Sequence, residues 1–209
     1  MELTKLAEYL TAAGLAAISR ESIRQILHEA GINWLATKTW KASTDPRFIE
    51  KMRRVLDLYD HPPADGRVIC ADEFGPLNLQ PRPGRAWRPA GRPARLRATY
   101  RRTGGVRHML AALDLPTGQI TYRIRERKRW REFLALLKLL RTRWPGQKLY
   151  LIIDNFSPHK HPKVTGWAAD NNVELVFLPT YSSWLNWIEP EFTALRYFTL
   201  NGTDHRTHA

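Results

Sequence analysis

Three carboxylates stand where the chain makes a carboxylate costly. Asp72 closes the apolar run Val68-Ile69-Cys70-Ala71, and Asp154 closes Leu149-Tyr150-Leu151-Ile152-Ile153. Glu189 follows Leu185-Asn186-Trp187-Ile188, with a gap of 34 residues after Asp154. Continuous apolar runs of this length, with β-branched residues, predict buried strands. An acid at the end of such a strand loses hydration unless something neutralises it. Carboxylates with waters suit hard cations, Mg²⁺ or Mn²⁺. Two such ions, roughly 3.5–4 Å apart, activate a water or a 3′-hydroxyl and stabilise the leaving oxygen in phosphodiester displacement. Asp72, Asp154 and Glu189 are therefore the candidate metal ligands and catalytic groups.

Their neighbours are weighed by where the backbone sends them. Glu73 follows Asp72 in a strand and so points to the opposite face, as a surface or supporting group. Glu191 lies about 200° around a helix from Glu189, so only one of the two can face the metals. Asn155 and His159 flank Asp154 and are candidates to support it; a local helix-terminus hydrogen bond is the alternative role for His159. His205 and His208 have no carboxylate or cysteine at ligand spacing and are expected in solvent.

The acids sit in a strongly basic chain. Among 209 residues, 33 Lys and Arg oppose 20 Asp and Glu, a net charge of +13 that favours polyanions. From Phe74 to Leu113 there is no acid, while nine arginines appear: Arg82, Arg85, Arg88, Arg92, Arg95, Arg97, Arg101, Arg102 and Arg107. Arginine rather than lysine suits bidentate phosphate contact. Trp87 and Tyr100 in the stretch favour a folded hairpin over 85–102 with a DNA-facing side, against the alternative of a solvated loop. The single cysteine, Cys70, excludes an intrachain disulfide and a cysteine-rich zinc site, and is expected to be a small buried hydrophobe. No apolar run reaches membrane-spanning length and no leader pattern is present, so a cytosolic, nucleoid-associated protein is expected.

The elements that must hold these residues follow from periodicity and punctuation. Residues Thr4 to Ala13 predict a short helix with Leu6, Ala7, Leu10 and Ala13 on one face. A second helix is capped by Ser19 and ended by Gly31, with Ile32 reaching back to Leu27. Ile23, Ile26, Leu27 and Ala30 should face inward there, leaving Arg20, Arg24, Gln25 and His28 outward for DNA. This pair reads as a helix-turn-helix, an ordinary helical hairpin being the alternative. Trp34 to Lys41 is read as a wing or linker. A third helix from Asp45-Pro46 to about Tyr59 completes a region of residues 1–60, and His61-Pro62-Pro63 opens a second domain over 61–209. That domain reads as strands at 67–73, 106–114 and 119–124, a helix at 131–144, and a strand ending at Asp154. A helix from Pro158 to Asn171, a strand at 173–178 and a final helix from about Glu189 follow. Beyond Phe198 the polar residues Asn201 to Ala209 should give that last helix little to pack on. Antiparallel strands first, then helix and strand in alternation, predict an α/β fold with a mixed five-stranded sheet.

Ala71-Asp72-Glu73, Ile153-Asp154-Asn155 with His159, and Leu178-Pro179-Thr180-Tyr181-Ser182 running into Leu185-Asn186-Trp187-Ile188-Glu189 resemble the DDE transposases of the mariner superfamily and its bacterial IS-six-thirty branch. The gap of 34 residues is that family's own spacing, and the likeness covers roughly residues 15 to 205. Ser183 and Trp187 stand where the family often has proline. The resemblance implies an RNase H-like sheet flanked by helices, preceded by a small all-α helix-turn-helix domain. It implies Mg²⁺ or Mn²⁺, and cleavage of insertion-sequence ends followed by joining of the 3′-hydroxyls to target DNA, often at TA steps. Terminal inverted repeats and target DNA are then the partners, with a homodimer left open and no membrane. Relatives usually carry another helix-turn-helix upstream and helices after the glutamate, so a chain shortened at both ends is expected. Two other readings stay open. One is a nuclease of the same fold without strand transfer, against which the helix-turn-helix argues. The other is a remnant that binds element ends without cutting, against which the three acids argue.

Reversing several arginines between 82 and 107 is expected to weaken DNA binding and to flatten its salt dependence, because the slope counts phosphates neutralised. Affinity measured at a series of salt concentrations checks this; an unchanged slope would make the stretch merely solubilising.

Overall fold

The computed structural model describes residues 3–32, 42–85, 89–92, 95–96 and 104–208. The chain divides into two compact units, Met1–Lys41 and Ala42–Ala209.

In the small unit, α1 (Leu3–Ala12) packs beside α2 (Arg20–Glu29). Ser19 caps α2, its hydroxyl accepting the Ser22 N–H at 3.0 Å. Gly31, at φ 73°, lets the Ile32 N–H return to the Leu27 carbonyl at 2.8 Å. Only Ile23 is fully buried; Leu27 is half-buried, whereas Ile26 and Ala30, expected inward, are exposed. With α1 as the one described helix against it, α2 covers a narrow apolar stripe. Arg20, Gln25 and His28 are exposed, and Arg24 is tied to Glu21 at 2.6 Å. Trp34 to Lys41 lie outside the described residues.

The larger unit begins before its sheet does. Helix α3 spans Phe48–Asp60, starting later than Asp45-Pro46 because Asp45 first closes a turn. Its side chain accepts the Arg47 N–H and its carbonyl accepts the Phe48 N–H. Val55 and Leu58 of α3 are buried in the same core as Val68, Cys70 and Tyr150. The unit boundary therefore falls after Lys41, not near residue 60, because the apolar face of α3 needs the sheet to cover it.

The strands are β1 (Gly66–Leu77), β2 (Arg107–Asp114), β3 (Gln119–Arg125), β4 (Lys148–Ile153) and β5 (Val173–Phe177). They form one five-stranded sheet in the order β3-β2-β1-β4-β5. The first three run antiparallel, while β4 and β5 add parallel to β1. The helices α4 (Trp130–Arg143) and α5 (Pro162–Asp170) cover one face, meeting Ile69, Ala71, Leu149, Leu151 and Ile153. The other face carries α3 and α6 (Ile188–Leu195) over Val68, Cys70, Tyr150 and Ile152. Cys70 is fully buried, as expected, and burial pushes its thiol up to about 11. No described helix is long and apolar enough to cross a membrane.

Two expectations need correction. The described residues of the 85–102 stretch form no strand; Pro89 and Gly91 interrupt them, and proline cannot donate to a ladder. Trp87, Tyr100, Arg88, Arg97, Arg101 and Arg102 lie outside the described residues. The tail after Phe198 is also less free than its polarity suggests. Helix α6 runs on through a π-helical turn at Arg196–Leu200. The Arg82 N–H then donates to the Thr203 carbonyl at 2.9 Å, and the Gly202 N–H to the Arg82 carbonyl at 3.1 Å. Gly84 is required at this crossing, since a Cβ there would stand 2.4 Å from the Gly202 nitrogen.

Leu140 is fully buried in α4 within the α4–α5 layer of the core. Leu140→Ala is expected to destabilise the fold by about 2–5 kcal/mol, read as a lower urea midpoint at unchanged m-value.

Candidate active site

The parallel pairing of β1 with β4 sets the level of two acids. Its last paired residues are Cys70 and Ile152. Two positions further on come Asp72, still within β1, and Asp154, the first residue past the end of β4. Strand β1 does not end there as expected. It continues to Leu77 along β2, pairing Asp72 with Ala111, so Asp72 projects where its parallel neighbour has already stopped.

The third acid is brought in by a pinned loop. Asn186 is fully buried, and its side-chain amide donates to the Ala71 carbonyl at 3.0 Å, beside Asp72. The carbonyl of Asn186 accepts the Glu189 N–H at 3.1 Å in the first turn of α6. From the other side, the Tyr59 hydroxyl of α3 donates to the Leu185 carbonyl at 2.7 Å, and its ring stacks on Trp187 at 4.4 Å. The charge of Glu189 reaches Asp72. Glu191 instead is exposed at the edge of an apolar groove with Phe74, Phe192 and Leu195.

Asp72 and Asp154 have opposite electrostatic fates. Burial pushes the Asp72 carboxyl up to about 7; the Glu73 N–H opposes this, while Asp154, Glu73 and Glu189 push the same way as burial. Among the described residues no cationic side chain is bonded to it. For Asp154, burial also acts upward, but hydrogen bonds from His159 and from the Phe156 N–H outweigh it, and its pKa is lowered. The partner is a buried imidazole placed between two acids. Nδ1 of His159 lies 3.0 Å from Asp154 Oδ1, and Nε2 lies 2.8 Å from Glu73 Oε1. Burial disfavours the charged ring, yet the two carboxylates raise its pKa to about 9, so both nitrogens donate. Phe133, with its ring centroid 4.0 Å away, and Phe156 enclose it.

Glu73 lies on the opposite face, as its position in the strand dictates, but it is not a surface group: only 6% of its side chain is exposed. Lys128 stands 3.8 Å from its second oxygen and 4.5 Å above the Phe156 ring. His159 belongs to a short 3-10 turn, Ser157–Lys160, rather than to an α-helix starting at Pro158. Pro162 restarts the chain as α5, and a proline there disfavours helical backbone at the residue before it. Asn155 turns to the Leu178 carbonyl and ties the exits of β4 and β5 together. Sequence reasoning gave no role to Tyr59, Asn186 or Lys128. Asn186 did carry a signal, as a lone amide inside an apolar run; Tyr59 and Lys128 carried none beyond their types.

Half-buried Asp72, which has no cationic partner among the described residues, Asp154 and Glu189 all offer carboxylate oxygens, the donor type that hard divalent cations take. Among the described residues, no group of three or more His, Cys, Asp or Glu side chains is placed so that it could hold a metal ion. Of the basic residues, Arg85, Arg92 and Arg95 are exposed, Arg82 is half-buried, and Arg107 pairs with Glu126 at 3.1 Å.

The chain belongs to the DDE superfamily endonucleases, whose family profile matches residues 67–208. It is 28% identical over 176 residues to the insertion element IS630 uncharacterized 39 kDa protein of Shigella sonnei, covering 83% of this chain and 50% of that one. The chain thus spans about half the length of that relative. It also superposes on the mariner Mos1 paired end complex with Mg, with a TM-score of 0.71 at 18% identity, covering 100% of this chain and 63% of that one. The corresponding complex with Mn gives a TM-score of 0.69 at 18% identity, over 100% and 63%. These likenesses give the larger unit's fold its class, RNase H-like.

Asn186→Ala is expected to cost about 1–3 kcal/mol, because it leaves the buried Ala71 carbonyl unpaired. Chemical denaturation measures it. A change within experimental error would show that the loop is held by Tyr59 alone.

Proposed function

We propose that this chain is the catalytic part of an insertion-sequence transposase, with Asp72, Asp154 and Glu189 as its metal-binding and catalytic residues. The observation that carries the proposal is the β1–β4 register, which runs to Cys70 and Ile152, two residues short of Asp72 and Asp154, together with the Asn186 amide, three residues before Glu189, donating to the Ala71 carbonyl next to Asp72. Membership of the DDE endonucleases and the likeness to an insertion-element protein support it. Mos1 structures described as a strand transfer complex and as a paired-end complex with left transposon end support DNA ends as substrate.

Two Mg²⁺ or Mn²⁺ ions, when bound, supply the Lewis acidity that activates a water or 3′-hydroxyl and stabilises the leaving oxygen. The protein's own part is placement. Imidazolium His159 holds Asp154 ionised, and Glu73, which also faces Lys128, holds the imidazolium. The Asn186 and Tyr59 bonds aim Glu189 at the same spot. The exposed arginines between 82 and 107 draw the phosphate backbone toward this negative centre. We assign the outward face of α2, with Arg20, Gln25 and His28, to duplex recognition, and the small unit, Met1–Lys41, to DNA binding.

The test is strand cleavage and joining on labelled duplex carrying the DNA that flanks the reading frame, with Mg²⁺ or Mn²⁺. Cleavage is expected to fall at least about a hundredfold in Asp154→Ala, the scale at which a misplaced reacting group costs rate. Undiminished cleavage by that variant would sink the site assignment. Loss of activity in Glu191→Gln but not in Glu189→Gln would move the third acid. Cleavage without joined products would make the protein a nuclease, and DNA binding without cleavage a remnant.

A further inference from the structure

Between α3 and the edge strand β5 lies an open cleft of about 310 Å³, lined by Arg47, Lys51, Arg54 and Lys160 with Glu50 and Glu174. Four cations and two acids give it a net charge of +2. Most of that charge is already partnered. Arg54 donates to Glu174 at 2.8 Å, and Lys148 reaches the same carboxylate at 3.0 Å. Lys51 is bound to Asp45 at 2.6 Å. The two cations left are Arg47, whose side chain has no ion pair among the described residues, and Lys160, whose ammonium rests 5.6 Å from the centre of the Phe177 ring. Both are exposed, and one comes from the α3 side while the other comes from the turn before α5. The same cleft is lined by Asn155, the residue that follows Asp154 in the chain.

We propose that this cleft is a phosphate-binding subsite for the DNA strand that passes the acid centre, with Arg47 and Lys160 donating to the non-bridging oxygens of one phosphodiester. The proposal rests on the reading of the protein as a DNA-cutting enzyme. Guanidinium offers a fork matched to two phosphate oxygens, and ammonium adds a point charge. The charge balance selects the kind of phosphate. Glu50 has no ion-pair partner among the described residues and faces the same cleft, so a free triphosphate with three or four charges meets repulsion. A diester carries one charge and balances the two unpaired cations against Glu50. Apolar lining is limited to Leu175, Val176 and Phe177 on the edge strand. A strand held here would have its next phosphates led toward Asp154, so the cleft would set which bond reaches the acids.

The experiment measures binding of the full chain to a fluorescent duplex at a series of salt concentrations. Arg47→Ala with Lys160→Ala is expected to lower the slope of log affinity against log salt by about 0.9, the value of one phosphate contact. Affinity near 0.1 M salt should weaken about tenfold alongside it. Glu50→Gln, at an exposed position that does not touch the core, is expected to tighten binding and provides a second variant of opposite sign. Unchanged slope and affinity in the double variant, or no tightening in Glu50→Gln, would overturn the proposal. Calorimetric titration with inorganic phosphate and with a nucleoside triphosphate separates the sources: binding of either that the double variant loses, with its DNA slope intact, assigns the cleft to a free phosphate and overturns it too. A chain that cleaves normally while the double variant keeps its slope removes this inference alone. A chain that never cleaves but shows the slope change removes the catalytic reading and leaves the subsite standing.

Discussion

Parallel pairing between β1 and β4 is the constraint on which the rest depends. A parallel ladder needs a long crossover, and here the segment from β2 through α4 supplies it while covering one face of the sheet. The reward is a fixed register. Because side chains alternate with a period of two, a slip of one residue would send Asp72 or Asp154 to the opposite face. The slip is prevented by burial on both sides: Ile69, Ala71, Leu149 and Leu151 face α4 and α5, while Val68, Cys70, Tyr150 and Ile152 face α3 and α6. The core therefore fixes where the acids stand.

Such a register creates an electrostatic difficulty, because it gathers carboxylates at one end of a low-dielectric sheet. The protein relieves part of it and leaves part in place. His159 passes around the end of β4 and joins Asp154 on one face to Glu73 on the other, with Lys128 as an outer cation. Two acids and two cations then balance locally. Asp72 and Glu189 receive no such partners among the described residues. Neutralising everything would leave no site for a divalent ion, and neutralising nothing would drive the acids to protonate. Partial compensation holds Asp154 ionised and leaves Asp72 and Glu189 without a counter-charge among the described residues.

The order of elements, the mixed sheet and the apolar faces were legible in the sequence because each rests on local periodicity. Ser19 and Gly31 marked the ends of α2 for the same reason: caps are local chemistry. What escaped was non-local. Nothing around residues 48 to 60 says that α3 belongs with the sheet, because its apolar face looks the same whatever covers it. Ile26 was misplaced by the converse error, since periodicity marks a face without saying whether a partner is wide enough to bury it. Glu73 was rightly sent to the opposite face, but the choice between a surface and a supporting group stayed open, because the imidazole that buries it lies 86 residues away. The three acids are a different case: their contexts and spacing singled them out before any fold was known, their role remains the proposal made above, and the structure adds the hydrogen bonding around them.

The loop before Glu189 shows how a fold can reach the same stiffness by other chemistry. Where relatives in the resembling family often carry proline, this chain has Ser183 and Trp187, and so lacks rings that would restrict the backbone. It has tertiary contacts in their place. Asn186 is held by the Ala71 carbonyl, Leu185 by the Tyr59 hydroxyl, and Trp187 by the Tyr59 ring. Proline would lower the entropy of the unfolded loop, whereas these contacts act only in the folded state. The position of Glu189 is thereby made dependent on α3, because removing α3 would take away two of the three contacts. A helix that sequence alone assigns to the DNA-binding region thus becomes part of the frame that aims the third acid, and the cleft proposed to hold the DNA strand is built on that same helix.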